Sequence, residues 1–142
     1  MSLTELQQES RSVGLERFTA PDYGPGPVTH IVLFAYRATT TAEQKAEVAR
    51  RFHALADSPR DGAPYIVSIT SGAQISGETA PGGFEYGFVV TFASLGDRNY
   101  YVGEPVVTDP AFFDPVHHEF KSFVAPLLRE GAEGVLVFDF AA

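Results

Sequence analysis

The sequence predicts an α+β domain of the ferredoxin-like class, with the element order β-α-β-β-α-β, an antiparallel sheet and helices on one face. Apolar residues alternate with a period of two over residues 28–37 and 84–92, as they do in half-buried strands. After the first of these strands, and again from residue 115, apolar residues recur at helical spacing. The chain has 142 residues, 44% of them hydrophobic, which is enough for one domain with its own core.

The first strand and the first helix follow directly from these patterns. Residues 28–37 place His30, Val32, Phe34 and Tyr36 on one strand face. The next segment, Thr-Thr-Ala-Glu at residues 40–43, is a capping-box pattern that starts a helix running to about residue 56. Its helix-spaced apolar positions are expected to face the core; they are Val48, Phe52 and Leu55.

Two further strands are predicted in the middle of the chain. Residues 65–75 are rich in β-branched side chains and predict the second strand, and residues 77–83 predict a turn. Residues 84–92 predict the third strand, with a largely aromatic face formed by Phe84, Tyr86, Phe88, Val90 and Phe92.

The second helical region is divided. Residues 95–102 predict a short helix, and residues 103–113, with two prolines, predict an irregular surface loop that packs down near a pocket mouth. Asp114 then suits an N-cap and Pro115 the first helical position. Residues 134–140 predict the last strand.

The helix that begins at Pro115 contains two adjacent histidines in different positions. Its apolar stripe is predicted at Val116, Phe120, Phe123 and Leu127, and Pro126 should kink or end the helix. At about 100° per residue, His117 falls on the flank of the stripe, whereas His118 points toward solvent. His117 is therefore the candidate site residue.

The composition excludes several classes of function. The net charge is −8, which argues against nucleic acid and anionic membranes as partners. Cysteine is absent, and no apolar run reaches the length of a membrane span, so we expect a cytoplasmic protein without disulfides or thiolate chemistry. Residues 1–27 predict an N-terminal extension with weak helical character, and residues 28–142 predict the folded domain with its insertion at about 103–113.

The sheet face opposite the helices is predicted to be apolar. It would carry Ile31, Leu33 and Ala35 of the first strand, together with Val89 of the third. Such a surface is too apolar to face water. Two copies packed sheet against sheet would bury it, so we expect a homodimer with an isologous interface.

Four segments together resemble one known family. They are 29–34 (THIVLF), 83–92 (GFEYGFVVTF), 114–120 (DPVHHEF) and 135–140 (VLVFDF), in this order and spacing. They are similar to the Dabb family, the stress-responsive dimeric α/β-barrel domain, over about residues 28–140. The usual His-Pro-x-His pattern of that family begins here with Asp114.

The resemblance implies a dimeric α/β barrel, and it implies site residues. One plant member of the family closes a linear polyketide thioester by aldol condensation. The catalytic histidine of the family falls on His117, and its catalytic tyrosine falls on Tyr100 or Tyr101, depending on where the insertion is placed. The first-strand histidine falls on His30, and a third-strand pocket histidine is replaced by Tyr86.

The chemistry of these side chains supports such roles. Histidine titrates near neutrality and can act as a general base, and a tyrosine hydroxyl can stabilise an enolate. We expect His117 with Tyr100 or Tyr101 to be catalytic, and His30, Tyr86, Phe34 and Phe88 to contact the substrate. The structural alternative for His117 is a helix-start histidine that is hydrogen-bonded to a backbone carbonyl.

Three functions remain open from the sequence. The first is a cofactor-free enzyme, polyketide cyclase-like or lyase-like, that acts on a small apolar carbonyl compound. The second is a non-catalytic binding or stress-protective homodimer. The third is a cofactor-independent monooxygenase or a haem-handling protein on the same barrel. No metal site or cofactor is predicted, because no second histidine is positioned to converge with His117.

Overall fold

The computed structural model describes residues 1–78 and 82–141. Its helices and strands follow one another along the chain as α1 (Leu3–Val13), α2 (Leu15–Phe18), β1 (Val28–Phe34), α3 (Ala42–Ala54), β2 (Pro59–Arg60), β3 (Ala63–Pro64), β4 (Ile66–Ala73), β5 (Tyr86–Phe92), α4 (Leu95–Val102), α5 (Pro115–Val124) and β6 (Val135–Ala141). Strands β4, β5, β1 and β6 form, in that order, an antiparallel four-stranded sheet. The predicted ferredoxin-like α+β fold is thereby confirmed.

The register of the sheet fixes which side chains share a face. His30 pairs with Val90 of β5 and with Asp139 of β6, and all three point to the helix side. The alternating burial of β1 agrees with the predicted faces, although Ala35, expected on the open face, is fully buried just beyond the strand.

Helix α3 begins one residue later than predicted. Its N-cap is Thr41, whose hydroxyl accepts a hydrogen bond from the amide of Gln44 at 3.1 Å. The Gln44 side chain accepts in return from the amide of Thr41 at 2.8 Å, which completes a capping box. Thr40 instead donates its hydroxyl to the carbonyl of Leu127 at 2.7 Å.

A two-residue hairpin that the sequence interpretation missed follows α3. Strands β2 and β3 pair around Asp61 and Gly62, both of which have positive φ angles (51° and 82°). Asp-Gly is the usual sequence of such a tight hairpin turn, so the signal was present in the chain. The turn predicted at residues 77–83 lies partly outside the described residues.

The core lies between the sheet and helices α3, α4 and α5. Aromatic rings fill it; Phe52 and Phe88 are stacked with centroids 3.9 Å apart, and Phe34 and Phe120 meet Phe52 edge-on. Val48 and Phe52 of α3 are buried as predicted, and so is Leu55, which lies in the 3₁₀ turn after the helix ends at Ala54. This aromatic packing fixes the sheet relative to the helices.

The apolar stripe predicted for α5 is rotated in the structure. Val116 is 42% exposed, whereas His117, Phe120 and Val124 are buried. The buried carboxylate of Asp114 fixes this rotation, because it accepts hydrogen bonds from helix amides and from side chains outside the helix. The helix ends at Val124, as expected from Pro126, and a 3₁₀ turn continues it over Ala125–Leu127.

The N-terminal segment is more ordered than its composition indicated. A capping box formed by Ser2 and Glu5 starts α1. Phe18 at the end of α2 is fully buried and packs with Val107 and Phe113 of the 103–113 insertion. The insertion is irregular apart from a 3₁₀ turn at Pro110–Phe112, and its apolar side chains pack down, as predicted.

Within residues 1–78 and 82–141, no helix is long and apolar enough to cross a lipid bilayer. In the same residues, no group of three or more His, Asp or Glu side chains is arranged to hold a metal ion.

Candidate functional site

A cavity of about 410 Å³ lies between the helix side of the sheet and helices α4 and α5. Most of its wall is hydrocarbon, including Val32, Phe34, Phe120, Val124 and Leu128. The same cavity contains a small polar group composed of His30, Tyr101, His117, Arg98 and Asp139. An apolar enclosure with a few convergent polar groups is the usual form of a small-molecule site.

His117 lies on the first turn of α5, where Asp114 and Pro115 start the helix. Its Nδ1 is 2.5 Å from the carbonyl oxygen of Tyr101. A carbonyl only accepts hydrogen bonds, so Nδ1 carries the hydrogen and Nε2 keeps its lone pair. The hydrogen bond to a backbone carbonyl that was expected for a structural His117 is therefore present. The same hydrogen bond fixes the tautomer that a general base requires.

The imidazole of His117 is neutral at physiological pH. Burial lowers its pKa to about 3, and the hydrogen bond to the carbonyl of Tyr101 offsets this only in part. The side chain is 8% exposed and borders the cavity. Nε2 is consequently unprotonated and able to accept a proton from a ligand.

Tyr101 lies directly against His117. The two rings are stacked with centroids 3.7 Å apart and an interplanar angle of 13°. The hydroxyl of Tyr101 is buried and has no hydrogen-bond partner among the described residues. Burial raises its pKa, and the charges of Asp114 and Asp139 add to the effect, so the hydroxyl stays protonated and can donate.

Tyr100 occupies a different environment from its neighbour. Its ring packs edge-on against Tyr65 with centroids 5.3 Å apart, and the guanidinium of Arg60 lies 4.2 Å from its centroid. Tyr100 does not line the cavity, whereas Tyr101 does. Adjacent helix positions differ by about 100° in direction, which explains why only one of the two reaches it.

His30 belongs to a hydrogen-bonded chain that the sequence did not reveal. Its Nδ1 is 2.6 Å from Oδ1 of Asp139, and Nη1 of Arg98 donates to Oδ2 of the same carboxylate at 2.9 Å. Burial raises the pKa of Asp139, but the hydrogen bonds and charges of His30 and Arg98 outweigh it and lower the pKa overall. The carboxylate therefore stays ionised, and His30 donates through Nδ1.

Three other residues were predicted to contact a ligand, and only one of them borders the cavity. Phe34 lines it, whereas Tyr86 and Phe88 do not. Phe88 is stacked on Phe52 in the packed core, and Tyr86 packs against Phe88 with centroids 5.1 Å apart. Both residues lie on the predicted face of β5, at positions that the core helices cover.

Asp114, the residue that departs from the His-Pro-x-His pattern, anchors the site without lining it. Its side chain is fully buried and accepts from the hydroxyls of Ser58 (2.7 Å) and Tyr65 (2.6 Å). It also accepts from the amides of Val116 and His117. These four hydrogen bonds hold the start of α5 in place, and with it the ring of His117.

His118 differs from expectation, and the neighbouring Lys121 adds a polar group that the sequence interpretation did not consider. His118 is half-buried and stacks on Phe113 at 4.8 Å, because the insertion folds over this side of α5. Lys121 lines the cavity and donates to the carbonyls of Val102 (2.8 Å) and Glu104 (3.0 Å). Burial lowers the pKa of Lys121.

Sequence and structure comparisons agree on the family. The model of the stress-responsive A/B barrel domain, Dabb, matches residues 28–142. The chain belongs to the Dabb family. None of the curated proteins matches its sequence significantly.

The Dabb fold of this chain is shared with several solved structures. A protein from Arabidopsis thaliana is 22% identical with a TM-score of 0.65, and the match covers 82% of this chain and 95% of that one. The hydroxynitrile lyase of Passiflora edulis is 21% identical with a TM-score of 0.61, covering 83% and 94%. A dimeric ferredoxin-like protein of unknown function from Jannaschia sp. CCS1 is also 21% identical with a TM-score of 0.61, covering 82% and 100%. At these identities the likeness concerns the fold.

Proposed function

We propose that this Dabb protein is a cofactor-free enzyme that moves a proton on a small, mostly apolar carbonyl compound, with His117 as the general base. The observation that carries the proposal is the pair formed by His117 and Tyr101. A neutral imidazole with a fixed tautomer stacks on a tyrosine whose buried hydroxyl has no protein partner in the described part of the chain, and both line one apolar cavity.

The proposed chemistry begins at a carbon next to the carbonyl group of the ligand. Nε2 of His117 takes the proton, the electron pair of the C–H bond forms a C=C bond, and the carbonyl oxygen becomes an enolate oxygen. The hydroxyl of Tyr101 donates a hydrogen bond to that oxygen as its charge develops. The enolate carbon then adds to a second carbonyl of the same ligand, as in a cyclase, and the imidazolium returns the proton to the new alkoxide.

A pKa near 3 makes His117 a weak base in the free protein, but the reaction itself strengthens it. Proton transfer creates an imidazolium and an enolate side by side, and opposite charges attract strongly where water is excluded. The carbonyl of Tyr101 supports the positive charge, because it accepts the hydrogen bond from Nδ1. The proposal therefore requires an activated carbon acid, such as a β-keto compound or an aryl-substituted ketone.

A lyase reaction uses the same base on a different proton. In an α-hydroxynitrile, His117 would take the hydroxyl proton, the C–C bond to the nitrile would break, and cyanide would leave as the carbonyl forms. The resemblance in fold to a hydroxynitrile lyase supports this alternative. So does the second polar pair of the cavity, because His30 and Asp139 lie in the compartment that would hold the departing cyanide.

Two substrates test the proposal and separate its two forms. Phenylacetone in D₂O is followed by NMR for loss of its α-protons, and mandelonitrile is followed for release of benzaldehyde. We expect the wild-type protein to accelerate at least one reaction, and His117→Ala to lower that rate by about 10²-fold or more, the usual scale for a lost general base. His53→Ala removes an exposed imidazole from α3 and serves as the matched control, with an unchanged rate.

The outcomes discriminate among the functions considered. If neither reaction is accelerated although the apolar cavity binds ligands, the non-catalytic binding protein is favoured. If a rate is present but survives His117→Ala, another group is the base. A Soret shift of haemin that depends on His30 or His117 would favour the haem-handling alternative.

We further propose that the protein is a homodimer joined through the open face of the sheet. Structural relatives of the same fold are described as dimeric. In this chain, Leu136, Phe138 and Phe140 of β6 are 40%, 59% and 45% exposed on the open face, beside Ile31 and Leu33 of β1. A stable protein interface buries about 800 Å² per partner, and an apolar strip of this kind supplies its centre.

The shape of the open face supports a second copy as its occupant. A depression of about 260 Å³ lies there, where Gly87 has no side chain and Ile31, Leu33 and Val89 form the walls. A protruding phenylalanine of β6 from the other copy would fill it. Because both features are on one chain, a two-fold axis satisfies both at once.

Sedimentation velocity tests the dimer. At micromolar concentration the wild-type protein should sediment with about twice the 15.4 kDa mass of the chain. Phe138→Glu, which places a charge in the centre of the proposed interface, should shift it to the monomer. Val116→Glu, an exposed apolar position on α5, is the control that should leave the dimer intact. A wild-type monomer at this concentration would contradict the proposal.

A further inference from the structure

The N-terminal segment contributes to the cavity although it lies outside the family match. Residues 1–27 precede the matched domain, which begins at residue 28. Leu6 of α1 and Phe18 of α2 nevertheless line the cavity that contains His117. The segment is thus a component of the ligand compartment that the family fold alone does not provide.

The second half of this segment, from α2 onward, packs closely against the rest of the domain. Phe18 is fully buried against Val107 and Phe113, and its carbonyl accepts from Nδ2 of Asn99 at 2.9 Å. The backbone passes so close to α4 that a Cβ on Gly96 would lie 1.7 Å from the carbonyl oxygen of Ala20. Only glycine at this position permits that approach.

The first half is exposed along most of its length. Ser10 is the one buried residue of α1, Nε2 of Gln7 donates to the carbonyl of Pro105 at 3.4 Å, and Glu9 accepts from the hydroxyl of Tyr23 at 2.9 Å. Gly14, with φ at +84°, joins α1 to α2. Leu6 packs against the cluster of Phe18, Val107 and Phe113 but is not part of the main core between sheet and helices, so a change in its side chain is expected to alter the cavity and leave the main core intact.

Leu6 stands between two cavities. A second cavity of about 410 Å³ lies next to the first. The two share five lining residues, namely Leu6, Arg98, Asn99, Val137 and Asp139. Of these, Leu6 is the only residue outside the matched domain, and it is not part of the hydrogen-bonded chain from Asn99 to His30.

We propose that Leu6 is the residue that sets the size of ligand that this cavity accepts, because it closes the compartment of His117 toward the neighbouring one. The proposal rests on the proposed function insofar as the compartment holds an apolar ligand. Truncation of Leu6 joins the two spaces and admits longer apolar chains. A larger side chain at the same position shortens the compartment.

A homologous series of apolar probes tests this directly. The dissociation constants of 4-fluoro-n-alkylbenzenes, with alkyl chains of one to six carbons, are measured by ¹⁹F NMR. In the wild-type protein, each added methylene should tighten binding about fourfold until the compartment is full. Leu6→Ala should move this limit by two or more carbons, and Leu6→Trp should weaken binding of the longest wild-type ligand at least tenfold.

Leu3→Ala is the matched control, because Leu3 lies on the same helix and is 46% exposed. Its series should coincide with that of the wild-type protein, and thermal melts should show that all variants are folded. An identical size limit in wild-type, Leu6→Ala and Leu6→Trp proteins would overturn the inference, as would a wild-type protein that binds no member of the series. A shifted limit without any His117-dependent reaction would overturn the proposed catalysis alone.

Discussion

Two aromatic stacks on the helix side of the sheet differ in whether their rings carry groups that form hydrogen bonds. Phe52 and Phe88 lie parallel with centroids 3.9 Å apart, and both rings are buried in the hydrophobic core, although Phe52 also borders the cavity. Tyr101 and His117 lie nearly parallel with centroids 3.7 Å apart, beside a cavity. The first stack buries hydrocarbon, whereas the second buries a hydroxyl and an imidazole.

If the proposed function holds, this difference separates stability from chemistry within one small domain. Burial of hydrocarbon stabilises the fold, and burial of polar groups without full hydrogen bonding costs free energy. The second stack contains a hydroxyl without a partner in the described residues and a histidine whose pKa is about 3. Perturbed titratable groups that line a cavity are characteristic of functional sites.

The largest expected effect comes from breaking the hydrocarbon stack. Phe88→Ala removes a fully buried ring from the centre of the core. We expect a loss of about 3–5 kcal/mol in the free energy of unfolding, measured by urea denaturation, because a cavity remains where the ring was. Molecules that stay folded at low temperature should keep their reactivity with carbonyl substrates.

Phe88→Leu is the matched variant and should cost about 1–2 kcal/mol, since it keeps most of the apolar volume. If Phe88→Ala abolished the reaction in fully folded protein, the two stacks would be functionally coupled. The division between stability and chemistry would then fail.

The pH dependence of stability tests the second stack. The pKa of His117 is lowered by burial to about 3 in the folded protein, against about 6.5 in an unfolded chain. As the pH falls below 6.5, the unfolded chain binds a proton that the folded protein does not, so stability is lost between pH 6.5 and pH 3. We expect His117 to account for a loss of about 3 kcal/mol between pH 7 and pH 4.

His117→Gln isolates this contribution, because every other titrating group is present in both proteins. Its free energy of unfolding should change less with pH than that of the wild-type protein over this interval. Parallel curves for the two proteins would mean that His117 titrates normally and is not desolvated as the second stack requires.

The fold was predictable because its signals are local. Each signal determines the structure of its own neighbourhood in the chain: the alternation sets β1 and β5, Asp114 and Pro115 start α5, and Pro126 ends it. Where the prediction of the apolar stripe of α5 failed, a distant group decided the outcome. Val116 is exposed because the hydrogen bonds of Asp114 to Ser58 and Tyr65 fix the rotation of α5.

The arrangement of the candidate site was predictable only in part, for the same reason. His117 was identified from its own helix and from the family resemblance. The contact between His30 and Asp139 joins residues 109 positions apart and depends on the register of β1 with β6. The sequence did contain one signal, since Asp139 is the single charged residue in the apolar strand β6. The packing of Phe18 onto the insertion left no periodic pattern to detect.

The smallest expected effect compares two tyrosine hydroxyls. Tyr65 donates to Asp114 at 2.6 Å, outside the cavity, whereas the buried hydroxyl of Tyr101 has no partner among the described residues. Tyr65→Phe should therefore destabilise the protein by about 1–2 kcal/mol, because the buried carboxylate loses a hydrogen bond. Tyr101→Phe should leave stability unchanged or raise it by up to about 1 kcal/mol, since it removes an unsatisfied polar group.

The rate of the proposed reaction should respond to the two substitutions in the opposite order. The comparison is therefore informative although the expected changes in stability are small. Tyr101→Phe removes the proposed hydrogen-bond donor to the enolate and should slow the reaction by about 10²-fold, while Tyr65→Phe should change the rate little. Thermal melts and the exchange assay on the same samples measure both. If Tyr101→Phe lowered Tm as much as Tyr65→Phe does, its hydroxyl would have a structural partner such as a bound water. The donor to the enolate would then have to be another polar group that lines the cavity.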